Sequence, residues 1–196
     1  PLRRQRQMCI RDSSGSRLAG SRYVLRAIAA GITTSTDDPD TFAETVWKAC
    51  ANEAITRQEF QAAALVAAAI SLGLDSPQSR PMDVPPVLWK AVSLVADLPP
   101  RGTWHPGPDV VVATRTAVSI ADNYKYDVYE RLNAQIGTSA DPTQSVPAAF
   151  AIVSLFANWF APFGAASLGG DTSVIAAIAG SIIGAIQGSS ALSLHG

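Results

Sequence analysis

The sequence predicts an all-α fold, and three observations carry that prediction. From Tyr23 onward apolar residues recur at three- and four-residue spacing, no stretch of convincing length alternates apolar with polar residues, and Pro and Gly clusters cut the chain into pieces of helical length. Hydrophobic residues make up 47% of the 196 and charged ones 16%, with a mean hydropathy of +0.16, so one large core can form and disorder is excluded as the main state. Fifteen Lys+Arg against sixteen Asp+Glu leave a net charge of -1, which gives no bulk attraction to nucleic acid or anionic lipid. Two cysteines (Cys9, Cys50) and two histidines (His105, His195) build neither a disulfide framework nor a zinc cage, so any metal would need oxygen ligands.

Residues 1–13 show no helical or strand period and carry Arg3, Arg4, Arg6 and Arg11 without a following apolar run, which excludes a secretory signal. Met8-Cys9-Ile10-Arg11-Asp12-Ser13 resembles the translation of a sequencing-adapter end, so this stretch is expected to lie outside the fold and the domain to occupy residues 14–196. Removing residues 1–13 is expected to leave the fold intact.

Tyr23 to Ile32 reads as a short apolar helix. Thr36-Asp37-Asp38, with Pro39 and Asp40, reads as a turn capping a helix from Thr41 to Ala51, where Phe42, Val46, Trp47 and Cys50 form the apolar face and Cys50 is an inert core thiol. Thr56 opens an amphipathic helix through Leu72, with Phe60, Ala64, Leu65, Ala68 and Leu72 on one side. Asp75 to Pro86 is a proline-rich loop, and Val87 to Leu98 a helix stopped by Pro99-Pro100. An irregular connection over 101–108 leads to helices at Val110 to Asp122 and Tyr126 to Gln135. After a polar loop over 137–144, Pro147 suits the first turn of a strongly apolar helix running to Phe160, and the last helix spans Asp171 to about Gln187.

The segments Val146 to Phe160 and Val174 to Ile186 are almost uncharged, yet each falls short of the roughly 20 apolar residues a membrane span needs. The spacing Gly180, Gly184, Gly188 suits close helix packing in a membrane or in an Ala-rich core, and the lengths favour the core.

The stretch richest in chemistry is Ser167-Leu168-Gly169-Gly170-Asp171-Thr172-Ser173 ahead of an Ala/Gly-rich helix. Two glycines allow a tight turn and close backbone approach to a ligand, and an acidic residue then stands at a helix start. Three other stretches fall in a consistent order: Gly20-Ser21-Arg22-Tyr23-Val24-Leu25-Arg26, Glu53-Ala54-Ile55-Thr56-Arg57, and Gln144-Ser145-Val146-Pro147-Ala148-Ala149. Together they resemble the ADP-ribosylglycohydrolase family, whose members carry a glycine-rich loop before a Met-Arg pair, a Thr-His element, Glu-Ser-Val-Pro-x-Ala, and Gly-Gly-Asp-Thr-Asp-Thr. The resemblance runs from Gly15 to the end, with little contributed by residues 77–125.

That resemblance implies a multi-helix orthogonal bundle, incomplete at its N-terminus, and hydrolysis of an N- or O-glycosidic bond of an ADP-ribosylated protein or an ADP-ribose-containing small molecule, with one or two magnesium ions, in the cytoplasm, with no nucleic-acid or membrane partner. It implies metal ligation by Asp171 and Ser173 and substrate binding by Gly20, Ser21, Gly169 and Gly170; the catalytic residue stays unassigned. A Thr-Asp-Asp cluster that the family carries upstream is not seen here, so the chain as given is expected to be an inactive C-terminal part. Ser173 stands where the family has a second carboxylate and Val174 where it has a metal-binding Thr, which keeps open a non-catalytic binding or structural, crystallin-like relative. At Arg57, in place of His, a cation facing the diphosphate competes with a solvated helix-end arginine. Trp104-His105-Pro106 could stack on a base or ribose, though a loop His is ordinarily a surface residue, while Tyr124, Tyr126 and Tyr129 are expected to be half-buried packing groups.

Overall fold

The structure, a computed structural model, describes residues 24–50, 55–76 and 84–188. Among these residues there are helices and no strand, apart from an isolated parallel bridge between Thr56 and Thr103. The helices are α1 (Val24–Thr33), α2 (Pro39–Cys50), α3 (Arg57–Leu74), α4 (Val84–Asp97), α5 (Val110–Asn123), α6 (Val128–Gln135), α7 (Pro142–Phe156), α8 (Ala161–Ala166) and α9 (Thr172–Gln187).

Helix α3 is the axis of the core. Its start is fixed by a capping box: Thr56 Oγ1 accepts from Glu59 N–H at 3.2 Å and Glu59 Oε2 accepts from Thr56 N–H at 2.6 Å. The amphipathic reading of this helix is corrected, because every residue from Ala62 to Ser71 is buried and α1, α2, α4, α5, α7 and α9 all pack on it. Alanine makes this possible: a side chain of one carbon lets neighbours approach from all sides without a polar face to lose. The closest approach is at Gly31 of α1, where an added Cβ would stand 2.9 Å from Ala67 Cα and 3.0 Å from Ile70 Cβ.

Boundaries of four helices shift from the sequence reading, each for a local reason. Asp38 begins α2 two residues early: its Oδ1 accepts from Asp40 and Thr41 N–H, and its Oδ2 accepts from Thr41 Oγ1 at 2.6 Å. These bonds hold the Asp38 carboxyl below its ordinary range, the side-chain bond from Thr41 contributing most. Helix α4 starts at Val84, so Pro85 and Pro86 occupy its first turn, where missing N–H groups cost nothing. Helix α6 starts at Val128, and Asp127 before it pairs with Arg131 at 2.7 Å. The proline that opens α7 is Pro142, behind the N-cap Asp141, and Pro147 lies inside the helix; the helix ends at Phe156 because Ala157 turns left-handed at φ 48°. Residues 161–166, unassigned from sequence, form α8.

No helix among the described residues is long and apolar enough to cross a membrane. The Gly180/Gly184 spacing does not mark a tight helix seam either, since Gly180 faces only Pro162 and Gly184 has open space where its Cβ would be.

Candidate functional site

Contacts at the helix ends show how these elements meet. For α1 and α3, Gly31 rests on Ala67 and Ile70 while Ser71 Oγ, further along α3, donates to Thr34 O at 2.8 Å just beyond α1. For α7 and α9, the C-terminal ends are tied by Gln187 Nε2 donating to Ala157 O at 2.9 Å, and the N-terminal ends meet through the 136–141 loop. The C-terminal ends of α3 and α9 touch at Gly73 and Ile186. The N-terminal ends of α7 and α9 therefore lie at the same end of that pair, and the Gln144-Ser145-Val146-Pro147 and Gly169-Gly170-Asp171 motifs meet there. Helix N-termini present unpaired N–H groups and a positive dipole end, which suits an anionic ligand.

The signature turn is the best-defined part of this end. Gly169 and Gly170 take φ of 89° and 72°, and an added Cβ at Gly170 would collide with the Thr138 carbonyl, so the backbone there admits glycine alone. Thr138 O accepts from Asp171 N–H at 2.7 Å. Half-buried Asp171 stands at the N-cap of α9 but makes no side-chain capping bond; instead Ser173 Oγ donates to its Oδ1 at 2.9 Å. Val174 is buried and supplies no ligand.

Sequence reasoning missed the residues that hold this turn. Asn133 Nδ2 donates to Leu168 O at 3.0 Å and to Tyr129 O at 2.9 Å, and its Oδ1 accepts from Thr138 Oγ1 at 3.1 Å. Gln144, where the family has Glu, accepts from Ser139 N–H at 3.1 Å through Oε1 and packs against Gly137. The Gln-Ser-Val-Pro and Gly-Gly-Asp motifs are thus joined through one loop. No motif flagged Asn133 or Thr138, because the Asn133 amide meets Leu168 O, and the Thr138 carbonyl meets Asp171 N–H, only once the chain is folded.

At the α3 end, Arg57 is exposed, as the helix-end reading expects, and its N–H donates to Thr103 O at 3.0 Å. It shares a cleft of about 400 Å³ with Gln58, Trp104, His105 and Asp109. Gln58 Nε2 donates to His105 O at 2.6 Å, and the Trp104 indole is 69% exposed. Two residues thought of separately from sequence, Arg57 and Trp104, therefore line one cleft. The tyrosines need correction: Tyr129 is partly buried, but Tyr124 is exposed beneath the Arg131 guanidinium, 3.8 Å from its ring, and Tyr126 is fully exposed. Thr36-Asp37-Asp38 is the predicted capping turn. Gly20, Ser21, Glu53 and Ala54, together with residues 1–13, lie outside the described residues.

A family profile described as ADP-ribosylglycohydrolase matches residues 2–195. The chain belongs to that family. The all-helical architecture of this ADP-ribosylglycohydrolase-family chain agrees with the match. No curated protein and no solved structure matches it.

As a metal centre the described residues are sparse, with no group of three or more His, Cys, Asp or Glu close enough to hold an ion. Asp171 Oδ1 and Ser173 Oγ are adjacent hard oxygens that fit neighbouring positions on one magnesium ion, provided the Ser173 proton turns away from the carboxylate. They do not make two sites.

Proposed function

We propose that these residues serve hydrolysis of the N- or O-glycosidic bond that joins ADP-ribose to a protein side chain or another acceptor, in the cytoplasm, with Asp171 and Ser173 supplying part of the ligand set for one magnesium ion. The observation that carries the reading is the signature turn: Gly169 and Gly170, both at positive φ, set the Asp171 carboxylate at the start of α9 with the Ser173 hydroxyl 2.9 Å away. Bound magnesium supplies Lewis-acid polarisation of ribose oxygens and of a water. The chain's own residues do the rest. The N–H groups at the start of α9 and the backbone of Gly169 and Gly170 can approach an anionic ligand closely.

One carboxylate and one neutral hydroxyl do not complete a magnesium site, so the 196 residues alone are expected to bind ADP-ribose and to release none from a substrate. A non-catalytic, crystallin-like relative is the second reading, favoured by the Ser173–Asp171 hydrogen bond and the buried Val174. Calorimetry with ADP-ribose, with and without magnesium, on wild type, Asp171→Asn and Ser173→Asp separates these readings. The hydrolase reading expects magnesium to tighten binding, Asp171→Asn to abolish that gain with little change in the metal-free melt, and Ser173→Asp to enlarge it. Magnesium-indifferent binding in all three proteins, or absence of ADP-ribose binding, refutes the hydrolase reading and selects the second.

A further inference from the structure

We infer that Asn133 is the positioning residue of the signature turn: it sets where the Asp171 carboxylate stands and acts on ligand binding through Asp171 without touching the ligand. The functional half of this inference rests on the proposed ADP-ribosyl ligand; the structural half stands without it.

Asn133 lies in α6, outside every motif, yet its amide spans both strands of backbone that hold the turn. One side is Leu168 O, directly before Gly169, reached at 3.0 Å; the other is Thr138 Oγ1, which donates to Asn133 Oδ1 at 3.1 Å. Thr138 in turn receives the Asp171 N–H at 2.7 Å and fills the space a Cβ at Gly170 would need. The turn is therefore gripped before its first glycine and at its carboxylate residue, and both grips pass through one side chain. The amide orientation is dictated by its surroundings. Nδ2 faces two carbonyl oxygens, Leu168 O and Tyr129 O, so an acceptor there would be repelled by both. Asn133 itself is exposed, whereas Thr138 is buried, so the Thr138 hydroxyl is the member whose partner water cannot readily replace.

The chemistry of the substitutions follows. Asn133→Asp keeps size and the acceptor for Thr138 but turns a carboxylate oxygen toward two carbonyls. Thr138→Val removes the hydroxyl while leaving its backbone carbonyl for Asp171, and so loosens one grip only. Val92→Ala, in the buried face of α4, serves as a control that lowers stability away from the turn.

The test measures amide hydrogen exchange at Asp171, ADP-ribose affinity by calorimetry, and the thermal melt, all on the 196-residue chain. Asn133→Asp is expected to speed Asp171 exchange and weaken ADP-ribose binding about tenfold, the scale on which outer-shell partners act, with Thr138→Val smaller in the same direction. Val92→Ala should lower the melt while leaving Asp171 exchange and affinity near wild type. Should Asn133→Asp not fold, Thr138→Val carries the test alone. Asp171 exchange that follows the melt equally in all variants overturns the inference, as does normal affinity beside accelerated exchange. If wild type binds no ADP-ribose, the proposed function fails, and Asp171 exchange alone then decides whether Asn133 positions the turn.

Discussion

Cys50 shows how a single buried side chain reports on its surroundings. Its thiol sits on the core face of α2 at 3% exposure, and burial pushes it up to about 11, with Arg26 opposing weakly. Reaction of Cys50 with an aromatic disulfide reagent at pH 8, followed in a Cys9→Ser background, should be negligible in the native protein and complete in denaturant. The sign for stability follows from the raised value: the native thiol stays neutral while the unfolded one ionises, so Cys50 favours folding below about pH 9 and that contribution is lost as pH rises toward 11. Denaturant midpoints at pH 8 and pH 10.5, compared between wild type and Cys50→Ala, measure it; a greater loss with pH in the alanine variant than in wild type would contradict the assignment. At the same scale, Thr56→Ala removes a capping box from α3 and should cost about 1 kcal/mol in urea unfolding.

At the scale of elements, two glycines in helices make opposite predictions. Gly31→Ala drives a Cβ against the α3 backbone, where nothing flexible can yield, and should destabilise by roughly 1–3 kcal/mol. Gly184→Ala meets open space on an exposed stretch of α9 and should stabilise by about 0.5–1 kcal/mol. Paired thermal melts check both. The sequence alone suggested the reverse emphasis, since it was Gly180 and Gly184 that showed a spacing. Periodicity reveals which faces are apolar but not which face meets a neighbour, so α1, α5 and α9 were legible to within about a residue, whereas the all-round burial of α3 was not. Pro147 misled for a related reason: proline marks a first turn only statistically, and Asp141-Pro142 offered the same signal with a cap in front. Asp171 was legible because a motif carried it. Asn133 and Thr138 were not, because an Asn amide donating to Leu168 O and a Thr carbonyl accepting from Asp171 N–H leave no trace in spacing.

For the whole molecule, the proposed function makes ligand binding a property of the folded bundle, because the signature turn is held by residues from α6, the 136–141 loop and α9. ADP-ribose at one hundred times its dissociation constant should add about 2.7 kcal/mol, a rise in melting temperature on the order of 5–10 °C for a chain of this size. Differential scanning calorimetry reads it directly, and an unchanged melt under saturating ligand would mean that the unfolded chain binds as well as the folded one or that the folded one does not bind.

The burial of α3 on every side also bears on how the protein is made. A ribosome adds roughly 5–20 residues per second, so on the order of ten seconds separate the emergence of Leu74 from that of Gln187. Through that interval the alanine-rich helix lacks α7 and α9 and shows a bare apolar surface to its surroundings. Newly made chains are therefore open to chaperone capture and aggregation until the C-terminal quarter has been translated, and a stop codon ahead of α9 should send the product into inclusion bodies while leaving most of its own sequence unaltered.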